Sequence, residues 1–261
     1  MKKLLEGKIA WITGAAGAIG EDICHVFARE GARVILSGRS EETLTKVAND
    51  LPDSAEPLVL VVDVTNRAQV DEVASKAIAN FGRVDILVNS TTNPIFAGFH
   101  DLSDDDWIAV INAKTLGYMR TSRAIIPHME ENGGGAIVNV SGRGGHQPNS
   151  PSHLIGSCAN GAVNTLTKGL ANIYGPKGIR INAIAPGPVR TPRYDMIAAA
   201  NKVIAEKNAT PERSGVAMEN PLGEMSEVRD NSDAVLYLAS DMSRFITGTI
   251  LQTDGGGTSS L

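Results

Sequence analysis

The stretch TGAAGAIG, Thr13 to Gly20, follows a short apolar run and opens a helical pattern. That context gives each small residue a physical role. Gly14 permits a tight turn, the small residues from Ala15 to Ala18 let backbone approach a pyrophosphate, and Gly20 lets the helix pack close to a sheet. The helix N-terminus then presents unpaired N–H groups and the positive end of its dipole to phosphate. A turn of this kind places the chain in the doubly wound α/β class, with ligands at the carboxyl ends of the strands.

The rest of the sequence keeps that rhythm. Lys8–Thr13, Arg33–Ser37, Pro57–Val62, Asp85–Asn89, Ala136–Ser141, Arg180–Ala185 and Thr249–Thr253 read as seven strands of a parallel, Rossmann-like sheet. Most are apolar nearly throughout, as strands covered on both faces must be. Helical patterns fall between them: Ala18 to Gly31, Glu41–Asp50, Asn66–Phe81, Asp104–Glu131, Ser152–Tyr174 and Ser226–Ser240. Ser103 reads as an N-cap, with Asp104–Asp106 filling a first turn rather than holding a metal. Thr191–Leu222 breaks the rhythm and reads as a partly helical substrate lid, residues 191–222.

Neither a repeat nor a linker divides the 261 residues, so the expectation is a single domain over 1–261. A net charge of −5 without a local Lys/Arg cluster argues against nucleic acid as a partner. The N-terminal MKKLLEGK lacks the apolar core of a leader peptide, and no run approaches a membrane span. A cytoplasmic location is therefore expected, with Cys24 and Cys158 as buried free thiols.

Across nearly its whole length the chain resembles the short-chain dehydrogenase/reductase family. Thr13, Gly14, Ala18 and Gly20 fit that family's turn, with Ile19 inside it. Asp63-Val64 resembles its adenine-contacting pair, and Asn89 the first residue of its Asn-Asn-Ala-Gly. Asn112 in VINAKTLG resembles the asparagine of its long interface helix. NAIAPGPVRTP resembles the segment that holds the carboxamide, here Pro186, Gly187 and Thr191. The resemblance implies a nicotinamide cofactor, a small-molecule substrate and a homotetramer. Arg39 stands at the end of the second strand where an acidic ribose clamp would select NAD. A guanidinium there suits a 2′-phosphate, so NADP(H) is expected over NAD(H), with no metal.

The catalytic half departs from the resemblance. The family pairs a tyrosine, which exchanges a proton with substrate, with a lysine four residues on that lowers the phenol's pKa and holds the nicotinamide ribose. Anchoring on the flanking segments puts those positions at Gly156 and Asn160, and the family's serine at Gly142, one residue after Ser141. None of the chain's four tyrosines has a lysine four or seven residues later. The expected site therefore draws on Asn112, Ser141, His153 and Tyr194, with Asn160 left to hydrogen-bond a ribose hydroxyl. His153 lies about one turn before Gly156, where its imidazole could fill the vacated space. His146 is a further candidate acid/base, and Arg143 a candidate anion-binding group. These features point to an atypical NADP(H)-binding oxidoreductase, poor at ordinary ketone and alcohol chemistry. A redox-neutral enzyme (lyase, dehalogenase or isomerase) and a non-catalytic nucleotide-binding subunit remain as alternatives.

Overall fold

The computed structural model describes residues 3–148, 150–207 and 220–259. Seven parallel strands form one sheet in the order β3-β2-β1-β4-β5-β6-β7. They are β1 (Ile9–Thr13), β2 (Arg33–Gly38), β3 (Leu58–Val61), β4 (Ile86–Asn89), β5 (Gly135–Val140), β6 (Ile179–Pro186) and β7 (Ile250–Thr253). The winding direction reverses between β1 and β4, which opens a crevice at their carboxyl ends.

Alternation along the strands builds two cores. Ala10, Ile12, Val34, Leu36 and Val88 face one side, under α1 (Ala18–Arg29), α2 (Glu41–Asn49) and, further on in the chain, Val228–Ala239. Ile9, Trp11, Ile35, Leu87 and Ile137 face the other, under α3 (Arg67–Phe81) and the later helices Gly117–Glu131 and Leu154–Tyr174. A period of two on strands buried on both faces accounts for the continuous apolar runs in the sequence.

The pattern read as one helix over Asp104–Glu131 is interrupted. It comprises α4 (Asp104–Ile111), a π-helical stretch at Asn112–Leu116, and α5 (Gly117–Glu131). Ser103 and Asp106 form a capping box at its start, which explains the acidic first turn. The following helix, α6 (Leu154–Tyr174), begins two residues later than the sequence pattern suggests. Its buried positions Gly156, Asn160, Val163, Thr167 and Ala171 recur at intervals of three or four residues. Cys158 falls on the opposite side and is exposed, contrary to expectation, whereas Cys24 is buried. From Thr191 onward the chain forms α7 (Pro192–Lys207), and α8 is Val228–Ala239. Part of the expected lid, residues 208–219, lies outside the described residues. Among those described, no helix is long and apolar enough to cross a membrane.

Candidate active site

A cleft of about 530 Å³ opens at the carboxyl edge of the sheet. One wall is the turn after β1. Gly14 has φ +70°, and a Cβ there would meet the Ser90 carbonyl oxygen at 2.7 Å. A Cβ at Gly20 would overlap the Gly14 carbonyl, so both glycines are fixed by contact, and Gly14 by conformation as well. Gly17, Ala18, Ile19 and Gly20 line the cleft, at the first turn of α1. Pro186, at the end of β6, and Gly187 and Thr191, beyond it, also line the cleft.

Arg39, Asp63, Val64 and Asn89 do not line this cleft. Arg39 is exposed beyond β2. Asp63 folds its carboxylate back on Thr65, accepting from the backbone N–H at 2.9 Å and the hydroxyl at 2.8 Å. Val64 is buried in the core. Asn89 is buried too, its side chain occupied inside the sheet. Its Oδ1 accepts from Thr121 at 2.7 Å, and its Nδ2 donates to Asn139 Oδ1 at 2.9 Å. Asn89 thus positions β4 and is not available to a ligand in this arrangement.

The opposite wall is α6. Ile155 and Ala159 turn into an apolar cluster with Val110, which leaves Ser157 and Asn160 on the cleft side. Two glycines there face side chains that take their space. A Cβ at Gly156 would overlap the His153 imidazole, and one at Gly142 would meet Asn160 Nδ2 at 2.6 Å. Asn160 Oδ1 is buried and has no partner among the described residues. Ser141 donates its hydroxyl proton to Asn164 Oδ1 at 2.6 Å, with the Asn160 carbonyl an alternative acceptor at 3.2 Å. The α6 side thus holds much of that hydroxyl's bonding capacity.

Asn112 does not line the cleft. Its Oδ1 accepts from Arg120 Nη2 at 2.8 Å. Residues two apart on a helix point to nearly opposite sides, and Lys114 is the one that faces inward. Lys114 is buried, and its Nζ donates to the Ser141 carbonyl at 3.1 Å. Burial, with Arg193 adding to it, lowers its pKa from a lysine's usual 10.5 to about 7. Tyr118, one turn on, packs beside it with Nζ 5.9 Å from the ring centroid. The phenol lies against two backbone carbonyls, Val140 at 3.0 Å and Thr91 at 3.1 Å. Burial raises its pKa, so Tyr118 keeps its proton and donates a hydrogen bond to backbone.

His153 lines the cleft, its ring tilted against Phe96 with centroids 5.7 Å apart. Burial lowers its pKa to about 3, with Arg193 and Lys114 contributing, so the ring is neutral near pH 7. Its Nε2 lies 3.2 Å from Arg193 Nη2, which makes Nε2 the acceptor and places the ring proton on Nδ1. Tyr194 also lines the cleft from α7. His146 is exposed and outside it. Arg143 is buried in the wall, but it is already engaged. Its Nε is 3.9 Å from Asp254 Oδ2, and its Nη2 donates to the Gly257 carbonyl. It therefore pins the C-terminal segment. Ser150 and Ser152 meet Asn201 Oδ1 and tie α7 to the loop before α6.

A family model described as enoyl-(acyl carrier protein) reductase matches residues 14–258. The 3-oxoacyl-(acyl-carrier-protein) reductase FabG of Thermotoga maritima is 35% identical over 255 residues, covering 97% of this chain and 98% of that protein. The chain belongs to the short-chain dehydrogenase/reductase family. Oxidoreductase UcpA of Escherichia coli is 36% identical, covering 97% of this chain and 95% of its own length. The crystal structure of a 3-ketoacyl-(acyl-carrier-protein) reductase from Brucella melitensis complexed with NADH superposes with a TM-score of 0.85. Its sequence identity is 28%, over 97% of this chain and 99% of that one.

Within this short-chain dehydrogenase/reductase frame, Lys114 and Arg193 are the cleft residues that sequence reasoning missed. The signal for Lys114 was present. It is a lone lysine in a helical run, four residues before Tyr118, and a search for tyrosine followed by lysine passes over the reverse order. Arg193 gave none, because an arginine in a polar segment is ordinarily solvated.

Lys114 should leave a thermodynamic signature. Its folded pKa lies below its unfolded one, so below about pH 7 both states are protonated and the full cost of the buried charge is present. Between pH 7 and 10.5 the folded state has lost its proton and the cost fades. Each tenfold change in proton affinity is worth about 1.4 kcal/mol, so Lys114→Met should be more stable than wild type at pH 6 by a few kcal/mol. Urea denaturation from pH 6 to 10 should show that gain shrinking steadily. A gain independent of pH would contradict the assignment.

Proposed function

We propose that the chain is an NADP(H)-dependent oxidoreductase with a non-standard catalytic centre, poor at reducing simple ketones. The observation that carries this is the filling of the α6 face. His153 and Asn160 occupy the space over Gly156 and Gly142, where the family resemblance calls for a phenol and a serine hydroxyl. The Asn160 amide, in the lysine's place, carries no charge.

The residues present fit a dinucleotide. The glycine cradle at Gly14 and Gly20 admits no Cβ, and the unpartnered Asn160 Oδ1 suits a ribose hydroxyl. Gly17–Gly20 would hold the phosphates, and Pro186, Gly187 and Thr191 would border the nicotinamide. When bound, the cofactor supplies hydride. The protein must then provide the proton. Neutral His153 is a poor acid, and Tyr118 is committed to backbone carbonyls. Lys114 is the cleft residue whose burial brings its pKa to about 7, the range in which a general acid works best. Its ammonium gives one proton to the substrate oxygen, and water re-supplies it.

The cofactor preference follows from Arg39, exposed at the end of β2 beside Ser40. Ser37 offers no competing ribose clamp, because its side chain is fully buried, where its hydroxyl accepts from Trp11 Nε1 at 2.9 Å. Calorimetry should find NADP(H) bound about 10- to 150-fold more tightly than NAD(H). The advantage should disappear in Arg39→Ala, and equal affinities in wild type would refute the preference.

Assembly as a homotetramer is supported by two groups of exposed apolar side chains. Ile108, Leu116 and Ile173 lie on α4, the π-helical stretch and α6, while Met242 and Phe245 precede β7. Light scattering at micromolar concentration should give four times the 27.4 kDa chain mass. A monomer mass would eliminate this reading.

NADPH consumption tests the central reading. Simple ketones should turn over well below ~1 per second, the low end for ordinary enzymes. Restoring the family's groups requires clearing the space first, so Gly156→Tyr and Asn160→Lys must be combined with His153→Ala and Gly142→Ser. That variant should gain about 100-fold or more in ketone reduction, measured at saturating NADPH. Rapid ketone reduction by wild type would overturn the proposal. Product formation without NADPH oxidation would instead identify a redox-neutral enzyme.

A further inference from the structure

We propose that the cleft binds substrates carrying a carboxylate or an equally small anionic group, held by Arg193 with Lys114 beside it. The inference rests on the oxidoreductase reading for what the anion is attached to, but the binding itself does not depend on turnover.

The charge balance of the cleft is the first observation. Among the described residues, the charged ones lining it are Lys114, Arg143 and Arg193, with neither aspartate nor glutamate. Arg143 has Asp254 as its counter-charge. Arg193 and Lys114 have no carboxylate partner among the described residues. Two cations facing one low-dielectric space without an anion repel each other, and a bound anion relieves that repulsion.

The second observation is how Arg193 is held. Its guanidinium lies over the Phe96 ring, 4.9 Å from the centroid, and Nη2 meets the neutral His153 Nε2. Nη1 is sealed from bulk water with no acceptor among the described residues. A buried donor left unpaired costs about 1–3 kcal/mol, and more when it is charged. A guanidinium oriented by an aromatic face and one fixed hydrogen bond is pre-organised for an oxyanion. His153 is then a positioning residue: it fills the space above Gly156 and aims the guanidinium.

The depressed values of Lys114 and Arg193, about 7 and about 10, agree with this geometry, because burial lowers both and the Arg193 charge lowers Lys114 further. An arriving carboxylate on Arg193 raises Lys114 again and increases its protonated fraction near neutral pH. The same group that holds the substrate thereby prepares the proton donor. A substrate with its carbonyl near its anionic end fits both residues.

An oxyanion on Arg193 could also come from the cofactor's own phosphate, and the experiment separates the two sources. Propionate and its neutral amide, propionamide, are titrated by calorimetry into wild-type protein saturated with NADP⁺. Propionate should bind the complex and propionamide should bind at least 10-fold more weakly. Arg193→Met should weaken propionate about 10- to 100-fold, Arg193→Lys less, and neither should change NADP⁺ affinity. At pH 7.5 propionate binding should take up protons, read from buffers of different ionisation enthalpy, and Lys114→Met should abolish that uptake. Propionate affinity unchanged in both Arg193 variants would overturn the proposal. So would exclusion of propionate from the wild-type NADP⁺ complex together with a 10-fold loss of NADP⁺ affinity in Arg193→Met, which would assign the guanidinium to the cofactor phosphate. Failure of the oxidoreductase reading would appear separately, as absent NADPH consumption with carboxylate binding intact.

Discussion

A buried chain of amides and hydroxyls centred on Asn89 holds together the elements that build the cleft. Asn89 sits at the end of β4, beside the point where the sheet reverses its winding. Its Oδ1 accepts from Thr121 on α5, with Thr13 on β1 also in reach at 3.4 Å. Its Nδ2 donates to Asn139 on β5, and Asn139 in turn donates to Thr167 on α6 at 2.9 Å. Polar groups at this depth are costly unless satisfied, so the network fixes strand register and helix position more sharply than apolar contact alone. The phosphate turn after β1, the π-helical stretch before α5 and the cleft face of α6 all take their places from it.

On that frame, the cleft is governed by two complementarities, one of space and one of charge. The loop after β5 approaches α6 so closely that Gly142, Gly144 and Gly145 have no room for a side chain without a shift. Asn160 and His153 fill what would otherwise be voids, and the small residues opposite them follow from the same contacts. The charge pattern is cationic. Arg143 is neutralised by Asp254, while Lys114 and Arg193 remain directed at the space a substrate would enter. The π-helical stretch matters here because it sets which side of the helix faces inward, bringing Lys114 to the cleft and turning Asn112 to Arg120.

The neutral state of His153 and the lowered pKa of Lys114 come from one source. Both lie in a desolvated wall shared with Arg193, and burial disfavours the charged form of each. On the proposed reading this divides the labour. Lys114 moves the proton, Arg193 binds the anion, and His153 orients Arg193. Each role is supported by a contact that the sequence alone does not reveal.

The sequence by itself determined the architecture. Apolar runs on strands buried from both sides, the glycine turn at Thr13–Gly20 and the Ser103 cap are local signals, and local signals survive without knowledge of the fold. The family resemblance of the flanking segments also picked out Asn160, whose side chain lines the cleft. Only the tertiary structure decided which polar side chains face the cleft. Asn89, Asn112 and Arg143 look available in sequence, yet Asn89 and Arg143 find partners from distant segments, Asn139 and Asp254, and Asn112 finds Arg120 on the helix that follows it. Lys114 and Arg193 look like ordinary surface cations, yet they are brought into a desolvated cleft. Hydrogen bonding and desolvation depend on neighbours far apart in the chain, so they arise only once the helices have packed on the sheet.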